Sequence, residues 1–242
     1  MSHKITFFID GIEYTAKSGQ SILQAADENG VYIPRLCYHP ELKPSGSCRI
    51  CTVNVNGRNM AACTTPVADG MIILNETEEL QDVRRALVEM LFIEGNHFCP
   101  SCERSGNCEL QALAYRLKIM SPRFPYIFPK RSLDATHPAI FIDGNRCIQC
   151  GRCVRAAEEL DGKPILGFIG RGGDLKIKAS SSEGLAGVGI APDDHCVQVC
   201  PVGAIIIKET AYRIPIGQRS YDKKPIGSDI EAKARKSPTG AV

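Results

Sequence analysis

Residues 97–108 read HFCPSCERSGNC, three thiols and one imidazole in a single short stretch. Nine further cysteines lie on either side, twelve in all, grouped at C-x2-C spacings beside Gly, Pro and polar residues. A structural cysteine behaves as a small buried hydrophobe and needs no such grouping. Paired thiols at this spacing converge on one metal centre, so the pattern predicts metal or metal–sulfur ligation.

The cysteines divide into three constellations. Cys37, Cys48, Cys51 and Cys63 follow C-x10-C-x2-C-x11-C. One cysteine, a tight pair and a distant fourth is the order of plant-type [2Fe–2S] loops, although the first gap is longer here. A structural zinc site with four cysteines is the competing reading, but such sites use two C-x2-C knuckles and this set has one. The pair sits in SGSCRIC, whose small residues leave backbone N–H groups free to donate to cluster sulfurs and raise the potential.

Cys99, Cys102 and Cys108 supply three ligands of the second set, and a [4Fe–4S] cube needs four. His97 is the nearest candidate. Residues two apart in extended chain point the same way, about 6.6–7 Å apart. An imidazole in place of a thiolate removes a negative charge and raises the potential. Cys196 is the rival for the fourth place.

Cys147, Cys150 and Cys153 in RCIQCGRCVRAAEEL, with Cys200 in CVQVCPVGAI, match the bacterial run C-x2-C-x2-C-x3-C-P. In two-cluster ferredoxins the fourth cysteine of each run serves the other cluster. Here that place in the first run is Ala157. The second run keeps only Cys196 and Cys200, its first two places falling at Ile190 and Asp193. One [4Fe–4S] site therefore remains, held by Cys147, Cys150, Cys153 and Cys200, and Cys196 is spare. One [2Fe–2S] and two [4Fe–4S] clusters give about ten irons per chain.

The elements that must position these ligands give an α+β reading. KITFFIDGIEYT forms a hairpin at Asp10-Gly11, and TVNVNGRNMAAC forms another at Asn56-Gly57. Ser18 precedes SILQAADENG, where Ile22, Leu23, Ala25 and Ala26 make a helical stripe that Gly30 ends. GMIILN is a further strand. Residues 77–95 form the clearest helix, capped by Thr77, with Val83, Ala86, Leu87, Met90 and Leu91 as its expected apolar face. ELQALAYRLKI continues as a helix after Cys108. The expected units are 1–76 for the [2Fe–2S] site, 77–120 for the histidine-containing site and 139–210 for the ferredoxin-like site. Residues 121–138 read as a linker, and 211–242 as a docking or disordered tail.

With 242 residues, 43% apolar content and a net charge of +2, nothing calls for nucleic acid or a membrane surface as partner. No run of about 18 apolar residues is present, and the N-terminus lacks the pattern of a secretory signal. The expected compartment is a reducing cytoplasm, where thiols stay free. No catalytic constellation or dinucleotide fingerprint appears. GFIGRGGD and GLAGVG, at 167–174 and 184–189, read as hairpin turns. NAD and flavin are thus expected on a partner. Arg35, Arg49, Arg146 and Arg152 flank cluster cysteines, as charge compensators or as solvated surface groups. His3, His39, His137 and His195 carry no assigned role.

EGNHFCPSCERSGNCELQ, RCIQCGRCVRAAEEL, CPVGAI and YRIPIGQRSYDKKPIG together resemble the small diaphorase subunits of soluble NAD-reducing nickel–iron hydrogenases. The same cluster order is similar to the N-terminal part of the large iron–sulfur subunit of respiratory NADH dehydrogenase and of iron-only hydrogenases. The broader family spaces its ligand histidine as H-x3-C; here it is H-x-C. The resemblance implies a β-grasp fold for 1–76. It also implies electron transfer between an FMN- and NAD-binding diaphorase subunit and nickel–iron hydrogenase subunits. The same relay in an NAD-dependent formate dehydrogenase or a complex I-like assembly is the alternative. A zinc-stapled interaction protein is the more distant one.

Overall fold

The computed structural model describes residues 4–234. The chain opens with β1 (Lys4–Ile9), β2 (Ile12–Lys17) and α1 (Ile22–Glu28). It continues with β3 (Thr52–Val55), β4 (Arg58–Ala61), β5 (Met71–Leu74), α2 (Glu78–Ile93) and α3 (Glu109–Arg116). Then come β6 (Leu133–Asp134), β7 (Ile140–Asp143), α4 (Arg152–Glu159), β8 (Leu166–Ile169) and β9 (Lys176–Ala179). The last elements are α5 (His195–Gln198), β10 (Ile205–Ile207) and α6 (Ser228–Ala234).

Both hairpins turn where expected. Asp10 and Gly11 have φ of 51° and 83°, and Asn56 and Gly57 have 48° and 86°. Left-handed conformation at both central residues matches the twist of the flanking strands, and Asn, Asp and Gly adopt it at least cost. β5 inserts between them, parallel to β1 and antiparallel to β3, in the order β2-β1-β5-β3-β4. Alternation in β1 turns Ile5, Phe7 and Ile9 inward. They meet Ile22, Leu23, Ala25 and Ala26 of α1, with Val53, Val55 and Ile73. Burial of each large apolar side chain contributes about 1.5–3 kcal/mol. The cap of α1 is Ser21, three residues after Ser18, in a reciprocal box with Gln24.

α2 starts at Thr77 as expected, but its buried face is rotated. Leu80, Arg84, Val88, Glu89 and Ile93 are buried, whereas Val83 and Met90 are 39% and 37% exposed. Leu87 and Leu91 still pack at the edge of a core with Val88, Leu110 and Leu113. The reason is Arg84, which is fully buried. Its guanidinium donates to Asn75 O, Asn75 Oδ1 and Thr52 O at 2.7–2.9 Å. Those acceptors take up both Nη groups inside the protein and fix the helix phase. α3 stops at Arg116, short of Ile119, where Lys118 takes a φ of 57°.

β6 lies within 121–138 and pairs with β7, which pairs with β10. β8 and β9 form a hairpin across Gly170–Leu175. Gly184–Gly187 is instead a single turn of 3-10 helix. Asp134 and Thr136 accept the Leu185 and Ala186 N–H groups there, so the loop is tied down rather than paired as a hairpin.

Residues 211–234 fold back on the chain itself. Tyr212 Oη donates to Ser101 O, and the Tyr221 N–H donates to Gly106 O. Ile226 is buried, and Gly227 lies against the ring of Tyr32. That ring also carries the Arg35 and Arg116 guanidiniums at 5.2 and 4.6 Å from its centroid. Among the described residues no helix is long and apolar enough to cross a membrane.

Candidate metal centres

The first thiol set is assembled by the β3–β4 hairpin. Its register pairs Thr52 with Ala61, so Cys51 and Cys63 leave the same end side by side. The Ala62 N–H donates to Cys51 O at 3.0 Å and holds that end closed. Cys37 enters from the loop after α1, and its N–H lies 3.5 Å from Cys48 Sγ. Cys37, Cys51 and Cys63 are buried, and Cys48 is partly so. The four thiols lie close enough to couple to one another, Cys37 to Cys48 and Cys63, and Cys51 to Cys63. That mutual coupling lowers Cys37 and Cys51 and raises Cys48 and Cys63. Four sequence-predicted ligands thus form one group.

The second set lies between α2 and α3. Cys99 and Cys102 bracket a tight turn closed by Cys102 N–H to Cys99 O at 3.2 Å. Cys108 occupies the N-cap of α3. His97, Cys99, Cys102 and Cys108 line one pocket with Phe92, Leu110, Gln111, Arg146 and Gly203. His97 Nε2 is buried there without a hydrogen-bond partner. Burial first, then the Arg146 and Arg131 charges, push the imidazole down to about 4. It is therefore neutral at pH 7, the form that ligates metal. Burial pushes Cys108 up to about 12.

The third set closes around α4. Gln149 and Gly151, at φ 54° and 68°, turn the C-x2-C-x2-C segment so that its thiols face one pocket. Cys147, Cys150, Cys153 and Cys200 line it with Ile142, Ile177 and Val202. Burial raises Cys147 to about 11 and Cys150 to about 12, and raises Cys153 as well. Buried thiols of this kind ionise only when a cation takes the charge, as metal binding requires.

Cys196 lines neither pocket. It is fully buried in a core with Cys153, Ala156, Ala157 and Ile190. Three of the places where a second ferredoxin cluster would have had ligands are thus filled by packed side chains. Among the described residues no three His, Cys, Asp or Glu groups are drawn together as a single metal ion needs. The thiols and the unpartnered imidazole line enclosed spaces instead, and this donor set fits iron–sulfur clusters.

Of the four flanking arginines, Arg146 alone reaches a thiol, Nη1 to Cys102 Sγ at 3.9 Å. Arg35 pairs with Asp27, Arg152 pairs with Glu109, and Arg49 is exposed. His137 Nδ1 accepts the Ala139 N–H, and His195 pairs with Asp161. His39 Nδ1 accepts the Glu41 N–H, and His3 lies outside the described residues. Two ties went unread in the sequence. Arg155 donates to Cys37 O and Lys43 O, both at 2.6 Å, and so clamps α4 on the first thiol loop. The Glu109 N–H donates to Pro201 O at 2.8 Å and joins the second set to the third. Nothing local in sequence marks Arg155; Glu109 at least follows Cys108 directly.

Three family models match the chain. They are the 2Fe-2S iron-sulfur cluster binding domain at residues 2–78, the NADH-ubiquinone oxidoreductase-G iron-sulfur binding region at 84–123, and the NADH-quinone oxidoreductase subunit 3 ferredoxin-like domain at 137–206. Together they account for one [2Fe–2S] and two [4Fe–4S] clusters. The chain is 43% identical to the NAD-reducing hydrogenase HoxS subunit gamma of Cupriavidus necator, over 92% of this chain and 94% of that one. It is 35% identical to the mitochondrial NADH-ubiquinone oxidoreductase 78 kDa subunit of Candida albicans, over 85% of this chain but only 29% of that protein. In three dimensions it is similar to a chain of the NAD+-reducing [NiFe]-hydrogenase in the H2-reduced state. The TM-score is 0.90 at 43% identity, covering 95% of this chain and 98% of the other. Similarity along nearly the whole of both chains, with the three thiol-lined sites in order, makes this chain a member of the family of NAD-reducing hydrogenase gamma subunits.

Proposed function

We propose that this chain relays electrons between an FMN- and NAD(H)-binding diaphorase subunit and nickel–iron hydrogenase subunits. The carrying observation is that each of the three thiol-lined sites sends at least one thiol to the same core. Cys48, Cys108, Cys147 and Cys200 all pack against the cluster of side chains that holds Leu36, Ile50, Leu110, Val202 and Ala204.

Cys37, Cys48, Cys51 and Cys63 would hold a [2Fe–2S] cluster, and the sheet order β2-β1-β5-β3-β4 supports a β-grasp reading of residues 1–76. His97, Cys99, Cys102 and Cys108 would hold one [4Fe–4S] cluster, and Cys147, Cys150, Cys153 and Cys200 the other. When bound, each cluster supplies reversible one-electron chemistry. The chain's own residues exclude water, fix the ligands and set the local charge. Ion pairs and backbone bonds between the loops hold the sites at constant separation. Two-electron chemistry on hydrogen and NAD belongs to the partners. Cysteines grouped at cluster-ligand spacings rather than as disulfide partners support a reducing, cytoplasmic setting.

Iron, acid-labile sulfide and zinc per chain, after anaerobic purification, test the cluster reading. About ten irons with matching sulfide support it, and zinc with little sulfide sinks it. Co-purified nickel supports the hydrogenase partner, and molybdenum the formate dehydrogenase alternative. In the reconstituted complex, a chain stripped of clusters should abolish hydrogen-driven NAD+ reduction. It should leave NADH oxidation by the diaphorase subunit with an artificial acceptor intact.

A further inference from the structure

Arg146 immediately precedes Cys147, yet its guanidinium belongs to the neighbouring site. Nη1 lies 3.9 Å from Cys102 Sγ and lines the same pocket as His97, Cys99 and Cys108. The head is fixed at two further points. Nη1 also donates to Glu103 Oε2 at 2.5 Å, and Nε pairs with Asp143 Oδ2 at 3.1 Å. The side chain is 24% exposed, so water screens its charge only in part.

We propose that Arg146 sets the reduction potential of the middle cluster, and that Glu103 limits its effect. The proposal rests on reading residues 97–108 as a [4Fe–4S] site. Reduction adds one negative charge to the cluster and its ligand sulfurs. A cation that donates to a ligand sulfur stabilises the reduced form and raises the midpoint. Glu103 is the residue after Cys102 and carries the opposite charge to the same place, so its effect has the opposite sign. Asp143 holds Nε and so aims the guanidinium.

The consequence is structural as well as electronic. Arg146 comes from the segment that forms the third site. The middle cluster therefore has its working potential only when residues 143–147 are docked on residues 102–103. Folding of one site tunes the next.

The test is an equilibrium redox titration of the full-length, cluster-loaded chain, followed by EPR with the two [4Fe–4S] signals fitted separately. In Arg146→Met one signal should shift downward. At the wild-type midpoint its reduced-to-oxidised ratio should fall tenfold or more, equivalent to about 59 mV or more for one electron. The other [4Fe–4S] signal should stay within about threefold. Arg146→Lys keeps the charge and should shift less than Arg146→Met. Glu103→Gln should move the same signal upward. Iron and sulfide should stay at about ten per chain in each variant.

The proposal is overturned if both Arg146→Met and Glu103→Gln leave every midpoint unchanged, or if both move a signal in the same direction. If Arg146→Met loses iron, the sign of the Glu103→Gln shift decides alone. A wild-type chain with well under ten irons overturns the cluster reading, and this proposal with it. Intact iron with unmoved midpoints overturns this proposal only.

Discussion

Glu109 and Arg152 face each other in a two-point ion pair, with Oε1–Nη1 and Oε2–Nη2 both at 2.7 Å. Glu109 follows Cys108, and Arg152 precedes Cys153. The pair therefore joins the ligand loops of the second and third sites. The Arg152 side chain is 4% exposed and that of Glu109 is 25%. A planar guanidinium on a carboxylate fixes both distance and orientation, which a lysine would not do.

Removing one partner strands the other. Glu109→Ala leaves a buried guanidinium without its carboxylate, at a cost of about 3 kcal/mol, the low end for such pairs because Glu109 keeps contact with water. The urea midpoint of the cluster-loaded chain should fall. Replacing both residues, as Glu109→Leu with Arg152→Met, should recover much of the loss. An unchanged midpoint in Glu109→Ala would show that the pair holds nothing together.

Arg84 is the polar centre of the interface between α2 and the first sheet. Arg84→Met keeps much of the volume but leaves the carbonyls of Asn75 and Thr52 buried and unbonded, at about 3 kcal/mol. Arg84→Lys should rescue little, because one ammonium lacks the planar fork that reaches both carbonyls. Thermal denaturation of the three chains side by side reads the order. If the lysine variant matched wild type, charge alone would matter.

His97 and Cys196 competed for the same role, and their variants should separate cleanly. His97→Ala should remove one [4Fe–4S] signature and lower iron from about ten to between about six and nine. His97→Cys should keep about ten irons and lower the potential of that cluster, since the thiolate restores a negative charge. Cys196→Ala should leave iron and sulfide unchanged. Loss of iron in Cys196→Ala would reverse the assignment.

Gly227 has a φ of 89°, and a Cβ there would lie 2.3–2.6 Å from the ring atoms of Tyr32. Gly227→Ala is strained twice, by the backbone conformation and by a ring already held between two arginines. The segment after Pro225 should detach from α1 at a cost of about 1–3 kcal/mol. Faster tryptic cleavage after Lys223 would register the release. Cleavage at the wild-type rate would mean that this docking is not limited by Gly227.

Much of the site was legible because chelation by neighbours is local. Three thiols at two-residue spacing can meet only around one centre, and the turn residues between them, such as Gln149 and Gly151, adopt positive φ within the same few residues. The hairpins at Asp10-Gly11 and Asn56-Gly57 were legible for the same reason, since their conformation is decided by the two residues that make the turn.

What stayed hidden depends on partners distant in the chain. The rotated face of α2 follows from carbonyls at Thr52 and Asn75, which no helical period can display. Folding leaves His97 Nε2 unpartnered in the thiol pocket and encloses Cys196 in apolar packing, a difference in placement that spacing cannot display. The mixed charge, Pro and Gly of the tail leave docking and disorder equally open; Tyr32, nearly two hundred positions earlier, supplies a surface on which it packs. The sequence by itself grouped the cysteines, through close spacing within each C-x2-C pair and through motif order for the distant Cys37, Cys63 and Cys200. Only the tertiary structure decided that each of the three sites sends at least one thiol to the same core, with Arg146, Glu109, Arg152 and Arg155 between them. Their partners are groups the chain brings close only when it is folded.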